Sequence, residues 1–322
     1  MSFIINSAIS KMKAPHEMRI ICIDVTNKCD LACSNCTRLL ANQDYFWDMT
    51  PDNFRLAVRS LKNFDGIVIM IGGNPCMHPK YEELCNIFEE ERPQIEKRGL
   101  WTNNFFKHEK ISKEKFGVFN LNTHNNNRAI KSLKNYLGTK WYHPNHSYHA
   151  PILTAIKDLY GNNTEKMWEL ISECDVNKNW SASIVQNKGK LRAYFCEVAA
   201  SFDLARHEDH GIEITDNWWK NEIDYFSNQI EHFCPGCGIS AKLEATKDSN
   251  EVDTYTVSNS DIVKISEEKN GRQTIRINKL GDLKQLDNEV TNYSDRTKKN
   301  IKYKISRFKW KLKKYLSYMF SK

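Results

Sequence analysis

The chain has 322 residues, of which 40% are apolar, enough to bury the core of one large domain or of two smaller ones. No apolar run reaches the roughly 18 residues that a membrane-spanning helix requires, and the first residues lack the basic and apolar regions of a signal peptide. We therefore expect a cytoplasmic protein whose ten cysteines are thiols or metal ligands, not disulfides.

The net charge of +7 is concentrated in residues 296–322, which hold eleven Lys and Arg and no acid and leave 36 basic against 40 acidic residues elsewhere. The apolar residues of this tail recur at helical spacing on one face: Ile301, Ile305, Phe308, Leu312, Tyr315 and Met319. Such a basic amphipathic helix suits an anionic membrane surface, so we expect peripheral membrane association. A helix packed on the body is a second interpretation, and nucleic-acid binding through phosphates is a third.

Apolar runs and helical periodicity alternate through the first half of the chain. The sequence predicts strands at residues 19–26, 66–71, 100–102, 118–122 and 152–156. Helices are predicted to begin at Thr50 and to occupy residues 80–91, 128–137 and 165–173. A β-hairpin at residues 180–195 and helices near 197–206 and 218–233 follow. The alternation favours a parallel sheet with functional groups at the carboxyl ends of its strands.

Three cysteines follow the first predicted strand in the pattern C-x3-C-x2-C: Cys29, Cys33 and Cys36. Three thiolates on one loop can ligate three irons of a cubane and leave the fourth iron open for the amino and carboxylate groups of a cofactor. Zinc sites usually have four ligands, and ferredoxin clusters have a fourth cysteine close by. The spacing therefore predicts a [4Fe–4S] cluster with one open position.

The cysteine triplet, together with Gly72-Gly73-Asn74-Pro75 after the second predicted strand, resembles the radical S-adenosylmethionine (SAM) superfamily. The resemblance covers roughly residues 18–240 and implies an α/β fold with a partial (β/α)6 TIM-like barrel. It further implies that SAM binds at this turn and near polar residues after the third and fourth strands, namely Thr102, Asn103, Asn122 and Thr123. His124 is a weak candidate for proton transfer.

Four later cysteines form a second set: Cys174, Cys196, Cys234 and Cys237. Their order resembles the ligands of the twitch module, the short relative of the SPASM extension, and is similar to that in the aminocyclitol dehydrogenase of the butirosin pathway. The resemblance implies an auxiliary [4Fe–4S] cluster. A structural zinc site with the same thiolates remains open. A further alternative makes Cys196 a hydrogen-atom donor in an epimerase, and Cys196 and the adjacent Glu197 are then catalytic candidates.

These features predict four segments. Residues 15–170 form the radical SAM barrel and 171–242 a twitch-like auxiliary domain of a hairpin and helices. Residues 243–295 form a polar extension or linker, and 296–322 the basic amphipathic tail.

The function implied by the resemblance is reductive cleavage of SAM to a 5′-deoxyadenosyl radical. The radical takes hydrogen from a small polar substrate, such as a sugar or aminocyclitol, and the substrate is oxidised. A flavodoxin or ferredoxin-type protein would supply electrons. Two alternatives are a peptide-modifying maturase or epimerase, and a non-catalytic metal-binding scaffold recruited to a membrane or to RNA. Two residues leave the scaffold alternative open. Asn74 stands where radical SAM enzymes usually have Glu, and Asn35 stands where many of them have an aromatic residue.

Overall fold

The computed structural model describes residues 2–31, 33, 35–122, 142–143, 148–243, 246–247, 254–260 and 273–276. The helices are α1 (Ser2–Ile9), α2 (Pro51–Ser60), α3 (Tyr81–Glu91), α4 (Glu109–Lys115), α5 (Ile156–Tyr160), α6 (Thr164–Ser172), α7 (Asp175–Asn179), α8 (Glu197–Arg206) and α9 (Ser227–Phe233). The strands are β1 (Ile20–Asp24), β2 (Ile67–Ile71), β3 (Arg98–Thr102), β4 (Val118–Asn122), β5 (Tyr142–His143), β6 (Tyr148–His149), β7 (Ser181–Asn187), β8 (Lys190–Tyr194), β9 (Ile212–Glu213), β10 (Thr246–Lys247), β11 (Thr254–Val257) and β12 (Gln273–Arg276). Within these ranges no helix has the length and apolar character needed to cross a membrane. The predicted helix at 128–137 and the basic tail lie outside the described residues.

The main sheet has eight strands in the order β5-β4-β3-β2-β1-β7-β8-β9. The first six strands in this order, β5-β4-β3-β2-β1-β7, run parallel to their neighbours. Strand β8 is antiparallel to β7, and β9 is antiparallel to β8. The fold is therefore α/β with a mostly parallel sheet, as the alternating sequence pattern predicts, and is consistent with a partial TIM-type barrel. The predicted hairpin is present, and β7 pairs with β1, so that the hairpin shares the sheet of the first strand.

The two faces of this sheet differ in chemistry. Ile23 of β1 and Met70 of β2 belong to the hydrophobic core. Because side chains alternate along a strand, Cys22 and Asp24 point to the opposite face. There the strand register pairs Cys22 with Ser183 of β7. The carboxyl end of β1 thus carries buried polar groups between neighbouring strands.

Helix α2 begins where the sequence predicts. The Thr50 side chain accepts a hydrogen bond from the Asn53 backbone N–H at 3.2 Å, and Pro51 occupies the first helical turn. Phe54 of α2 is buried and meets Phe88 of α3 edge-on, with ring centroids 5.6 Å apart. These contacts join both helices to the core of the sheet's apolar face.

The predicted strand at 152–156 is wrong. Leu153 forms only an isolated bridge with Val257, and Ile156 already begins α5. The run is buried because it packs under the C-x2-C turn: the Gly238 N–H donates to the Ile152 carbonyl at 2.9 Å. A short apolar run is equally compatible with a strand and with a buried irregular segment, and here the tertiary partner decides.

The single helix predicted at 218–233 is also wrong. The structure has two short 3-10 turns, Trp218–Lys220 and Ile223–Phe226, before α9 begins at Ser227. Both Trp218 and Trp219 are buried, and their indole N–H groups reach the hydroxyl and the carbonyl of Ser60. The tight turn lets two consecutive large side chains contact the same short segment of α2, and Asn221 then takes an extended conformation that ends the turn.

Candidate functional site

The first cysteine loop leaves β1 at the carboxyl edge of the parallel sheet. Cys33 is buried, while Cys29 and Cys36 are half-buried. The base of the loop is closed by Asn27, whose side chain donates to Gln43 Oε1 at 2.8 Å and accepts from the Trp47 backbone N–H at 2.8 Å. These hydrogen bonds join the residue before the cysteine loop to the residues that follow it.

Gly72 and Gly73 follow β2 and lie against the backbone that leads into the cysteine loop. Gly72 has a φ of 143°, and a Cβ placed there would lie 2.3 Å from the Thr26 carbonyl oxygen. A Cβ on Gly73 would lie 2.1 Å from the Lys28 carbonyl oxygen. The Gly73 N–H donates to the Thr26 carbonyl at 2.7 Å. Both glycines are thus required because the turn after β2 packs directly against the backbone that follows β1. The sequence pattern did not indicate this contact.

Asn74 is buried, and its side chain ties the turn after β2 to the end of β3. Its Oδ1 accepts a hydrogen bond from the Thr102 hydroxyl at 2.7 Å and one from the Cys76 backbone N–H at 3.1 Å. Pro75 is buried and opens a 3-10 turn. The side-chain oxygen of Asn74 therefore already accepts two hydrogen bonds from the protein. The resemblance to radical SAM enzymes implied a cofactor contact at this residue.

The end of β3 also reaches the cysteine loop. Asn103 Nδ2 donates to Asp30 Oδ1 at 2.5 Å and lies 4.0 Å from Cys29 Sγ, and Asn104 Nδ2 donates to Asp30 Oδ2 at 3.1 Å. Asn122 ends β4 at the same edge of the sheet, because Leu121 pairs with Thr102. Thr123 and His124 lie outside the described residues. The structure thus brings the segments after β1, β2 and β3 into contact around Cys29.

The four later cysteines line one cavity. Cys174 precedes α7, Cys196 precedes α8, and Cys234 and Cys237 follow α9. The rest of the lining is largely apolar and includes Met12, Ile171, Val198, Phe202, Phe233 and Ile239. Thiols from three separate parts of the chain therefore lie around one cavity. The sequence alone had linked these four cysteines only through their number and their order.

Burial raises the pKa of all four of these thiols, to about 12 for Cys237. Repulsion from the neighbouring thiols adds to the increase, with Cys174 acting on each of the other three. A thiolate is the form that binds iron or zinc, so bound metal would have to balance the negative charge in this apolar cavity. Soft thiolate donors fit both an iron–sulfur cluster and zinc.

A buried ionic group connects the two cysteine sets. Arg38, two positions after Cys36, forms ion pairs with Asp24 of β1 at 2.7 Å and with Glu197 of α8 at 3.1 Å. Ser181 donates to Glu197 Oε2 at 2.6 Å. Burial raises the pKa of Asp24, and the two carboxylates hold the pKa of Arg38 well above its usual value.

Sequence reasoning named Glu197 as a weak catalytic candidate and missed Asp24 and Arg38. The sequence holds a weak sign of this group, since an acid ends an otherwise apolar strand and an arginine follows the third cysteine closely. A carboxylate that is already paired with a guanidinium and a hydroxyl is held in place by those partners. The geometry therefore gives Glu197 a positioning role next to Cys196.

No protein-family model and no curated protein sequence matches the chain. The solved structures that are similar to it include two of BtrN. A crystal structure of BtrN in complex with AdoMet and 2-DOIA is 13% identical, with a TM-score of 0.44 over 68% of this chain and 92% of that one. A crystal structure of selenomethionine BtrN in an open conformation is 15% identical, with a TM-score of 0.40 over 68% and 86%.

Proposed function

We propose that this chain is a radical SAM enzyme whose catalytic [4Fe–4S] cluster is held by Cys29, Cys33 and Cys36. The observation that carries the proposal is the meeting of three segments at the carboxyl edge of the sheet. The backbone that leads into the C-x3-C-x2-C loop contacts the Gly72-Gly73 turn after β2, and Asn103 after β3 lies beside Cys29. Carboxyl ends of neighbouring parallel strands are where α/β barrels build their active sites.

The residues present fit the group. Three thiols on one anchored loop suit three irons of a cubane and leave one iron for SAM. The Leu31 backbone N–H donates to Cys29 Sγ at 3.4 Å and helps to hold that sulfur in place. When bound, the cluster and SAM supply the reductive cleavage of SAM and a 5′-deoxyadenosyl radical that removes hydrogen from a substrate. The protein's part is to orient that carbon–hydrogen bond and to exclude water.

The second part of the proposal assigns an auxiliary [4Fe–4S] cluster to Cys174, Cys196, Cys234 and Cys237. Four thiols in one apolar cavity support a fully protein-ligated cluster, which accepts an electron without binding substrate. Substrate oxidation follows from that assignment, and a small polar molecule such as a sugar or aminocyclitol is the proposed substrate class. The proximity of Cys196 to three other thiols favours this assignment over a hydrogen-donor role in an epimerase.

Two further parts of the proposal concern partners. A flavodoxin or ferredoxin-type protein would reduce the first cluster. The basic tail at residues 296–322 would hold the enzyme at an anionic membrane surface. The electron donor is proposed from the resemblance to radical SAM enzymes, and the membrane surface from the basic amphipathic sequence of the tail.

The decisive experiment measures iron, sulfide and SAM cleavage after anaerobic reconstitution of four full-length proteins. Wild type should hold about eight irons, Cys33→Ala and Cys237→Ala about half as many, and Cys85→Ala as many as wild type. Cys85 is a suitable control because it is a buried core thiol of α3 outside both sets. Reductive cleavage of SAM should disappear in Cys33→Ala and persist in Cys237→Ala. Cleavage retained by Cys33→Ala would overturn the central proposal.

Four irons in wild type with full SAM cleavage would remove the auxiliary cluster, leave zinc or free thiols in the quartet, and revive the epimerase role of Cys196. A non-catalytic scaffold is the second candidate, and one observation favours it: Asn74 already accepts two internal hydrogen bonds. Calorimetric titration of SAM into the reconstituted protein separates the two, because a scaffold would show no binding.

A further inference from the structure

A group of three metal-ligating side chains lies outside both cysteine sets. Glu208 and His210 follow the end of α8, and His232 is on α9. One ligand atom from each side chain lies within 4.8 Å of the other two. His232 Nε2 is 2.9 Å from Glu208 Oε2, and His210 Nε2 is 3.9 Å from the same oxygen. Both imidazoles therefore face a single carboxylate oxygen, and Arg206 Nη1 lies 4.0 Å from that same oxygen.

The surrounding structure holds His210 in place through its backbone. Its N–H is 3.2 and 3.1 Å from the two carboxylate oxygens of Asp203, a fully buried residue of α8. Its carbonyl accepts a hydrogen bond at 3.1 Å from Gln229, which is buried on α9, the helix that also carries His232. Tyr194 donates its hydroxyl to Asp203 and fixes that carboxylate in turn. The three side chains are thus presented by a packed and hydrogen-bonded support.

The nitrogen–oxygen distances suit one small cation once the His210 and His232 rings, which stack with centroids 3.9 Å apart, separate by about an ångström. Metal–nitrogen and metal–oxygen bonds of 2.0–2.2 Å in a tetrahedral site place neighbouring ligand atoms about 3.4 Å apart. The two nitrogen–oxygen distances of 2.9 and 3.9 Å lie on either side of that value. Shifts of about half an ångström would make them equal. Glu208 and His232 are about one-third exposed and His210 somewhat more, which leaves a coordination position open to water.

We propose that Glu208, His210 and His232 form a divalent-cation site with two imidazole ligands, one carboxylate and water. Two imidazoles and a carboxylate are a donor set for Zn²⁺ or Fe²⁺, and soft thiolates play no part in it. The cation would clamp α9 to the loop after α8. Cys196 directly precedes α8, and Cys234 directly follows α9. A cation that joins α9 to the loop after α8 would therefore also stabilise the positions of these two cysteines. The proposal holds whether or not the quartet carries a cluster.

The test is a titration of Co²⁺ alone into the full-length, cluster-free chain, followed by visible absorption before and after the thiols are alkylated. Thiolate ligands produce sulfur-to-cobalt charge-transfer bands, while imidazole and carboxylate ligands produce only ligand-field bands. Before alkylation the free cysteines of both sets also take up Co²⁺. After alkylation we expect a ligand-field signal that saturates at one equivalent. His210→Ala should weaken this binding by about tenfold or more, because even second-shell changes cost about ten- to a hundredfold.

His207→Asn is the matched control. His207 lies in the same loop and contacts Asp44 instead of the site, and asparagine tolerates its left-handed backbone conformation. This variant should titrate like wild type. Glu208→Gln keeps the shape of the carboxylate and tests the site independently if an alanine variant is poorly folded. Wild-type-like titration of both His210→Ala and Glu208→Gln would overturn the proposal, as would a wild-type signal that alkylation abolishes.

Discussion

The guanidinium of Arg38 donates to the carboxylate of Glu197 at 3.1 Å, although the two residues are 159 positions apart in the chain. Arg38 belongs to the loop of the first cysteine set, and Glu197 immediately follows Cys196 of the second. One buried ion pair thus connects both candidate metal centres, and Asp24 at the end of β1 completes it. The relative placement of the two centres depends on this group.

Replacing Arg38 by Gln should destabilise the metal-free protein by about 3–5 kcal/mol, because two buried carboxylates lose their counter-charge. Urea unfolding followed by circular dichroism measures the change. Arg55→Gln is the control, since Arg55 forms ion pairs with Glu90 and Glu91 at the surface and its loss should matter far less. Equal losses for the two variants would mean that the Asp24–Arg38–Glu197 group does not hold the fold together.

Replacing Gly73 by Ala should displace the first cysteine loop, because the added Cβ would lie 2.1 Å from the Lys28 carbonyl oxygen. We expect a loss of about 1–3 kcal/mol in unfolding free energy, as for other overpacked sites. Iron bound at the triplet should fall as well. Gly189→Ala is the control, since Gly189 has a positive φ but open space around it. That variant should lose some stability and keep its iron; a parallel loss of iron in both would contradict the role of the Gly73 contact.

Replacing Thr102 by Val should cost about 1–2 kcal/mol, because Asn74 Oδ1 loses a buried donor. Thr154→Val offers a matched comparison. Thr154 is also buried, and its hydroxyl has no hydrogen-bond partner within the described part of the chain. Its replacement should be neutral or stabilising. Chemical denaturation of both variants compares them directly, and a stable Thr102→Val protein would show that the Asn74 contact is dispensable.

Deleting residues 296–322 should abolish binding to anionic vesicles while iron content stays unchanged, since eleven basic residues are removed. Vesicle flotation in low and high salt measures the effect, and added salt should weaken wild-type binding. Neutral vesicles serve as the control for apolar adsorption. Undiminished flotation of the shortened protein would end the membrane interpretation of the tail.

The hairpin turn and the place of the cysteine loop directly after β1 could be predicted from sequence, because short-range geometry decides them. Cys29, Cys33 and Cys36 are a few residues apart, so any compact loop brings them close. At the hairpin turn, Lys188 and Gly189 both adopt positive φ angles, and such turns have a recognisable local composition. The cap at Thr50 is local in the same sense.

Contacts between distant segments were decided only by the tertiary structure. The apolar run at 152–156 reads as a strand in isolation, yet it packs under the turn that holds Cys237. Trp218 and Trp219 break a helical pattern because both reach Ser60. The pairing of Arg38 with Glu197 and the grouping of His210 with His232 have no counterpart in local spacing. A sequence determines which residues can form a turn, a cap or a ligand pair nearby, whereas the partner of a buried charge is selected by which remote segments the packed core brings within a few ångströms.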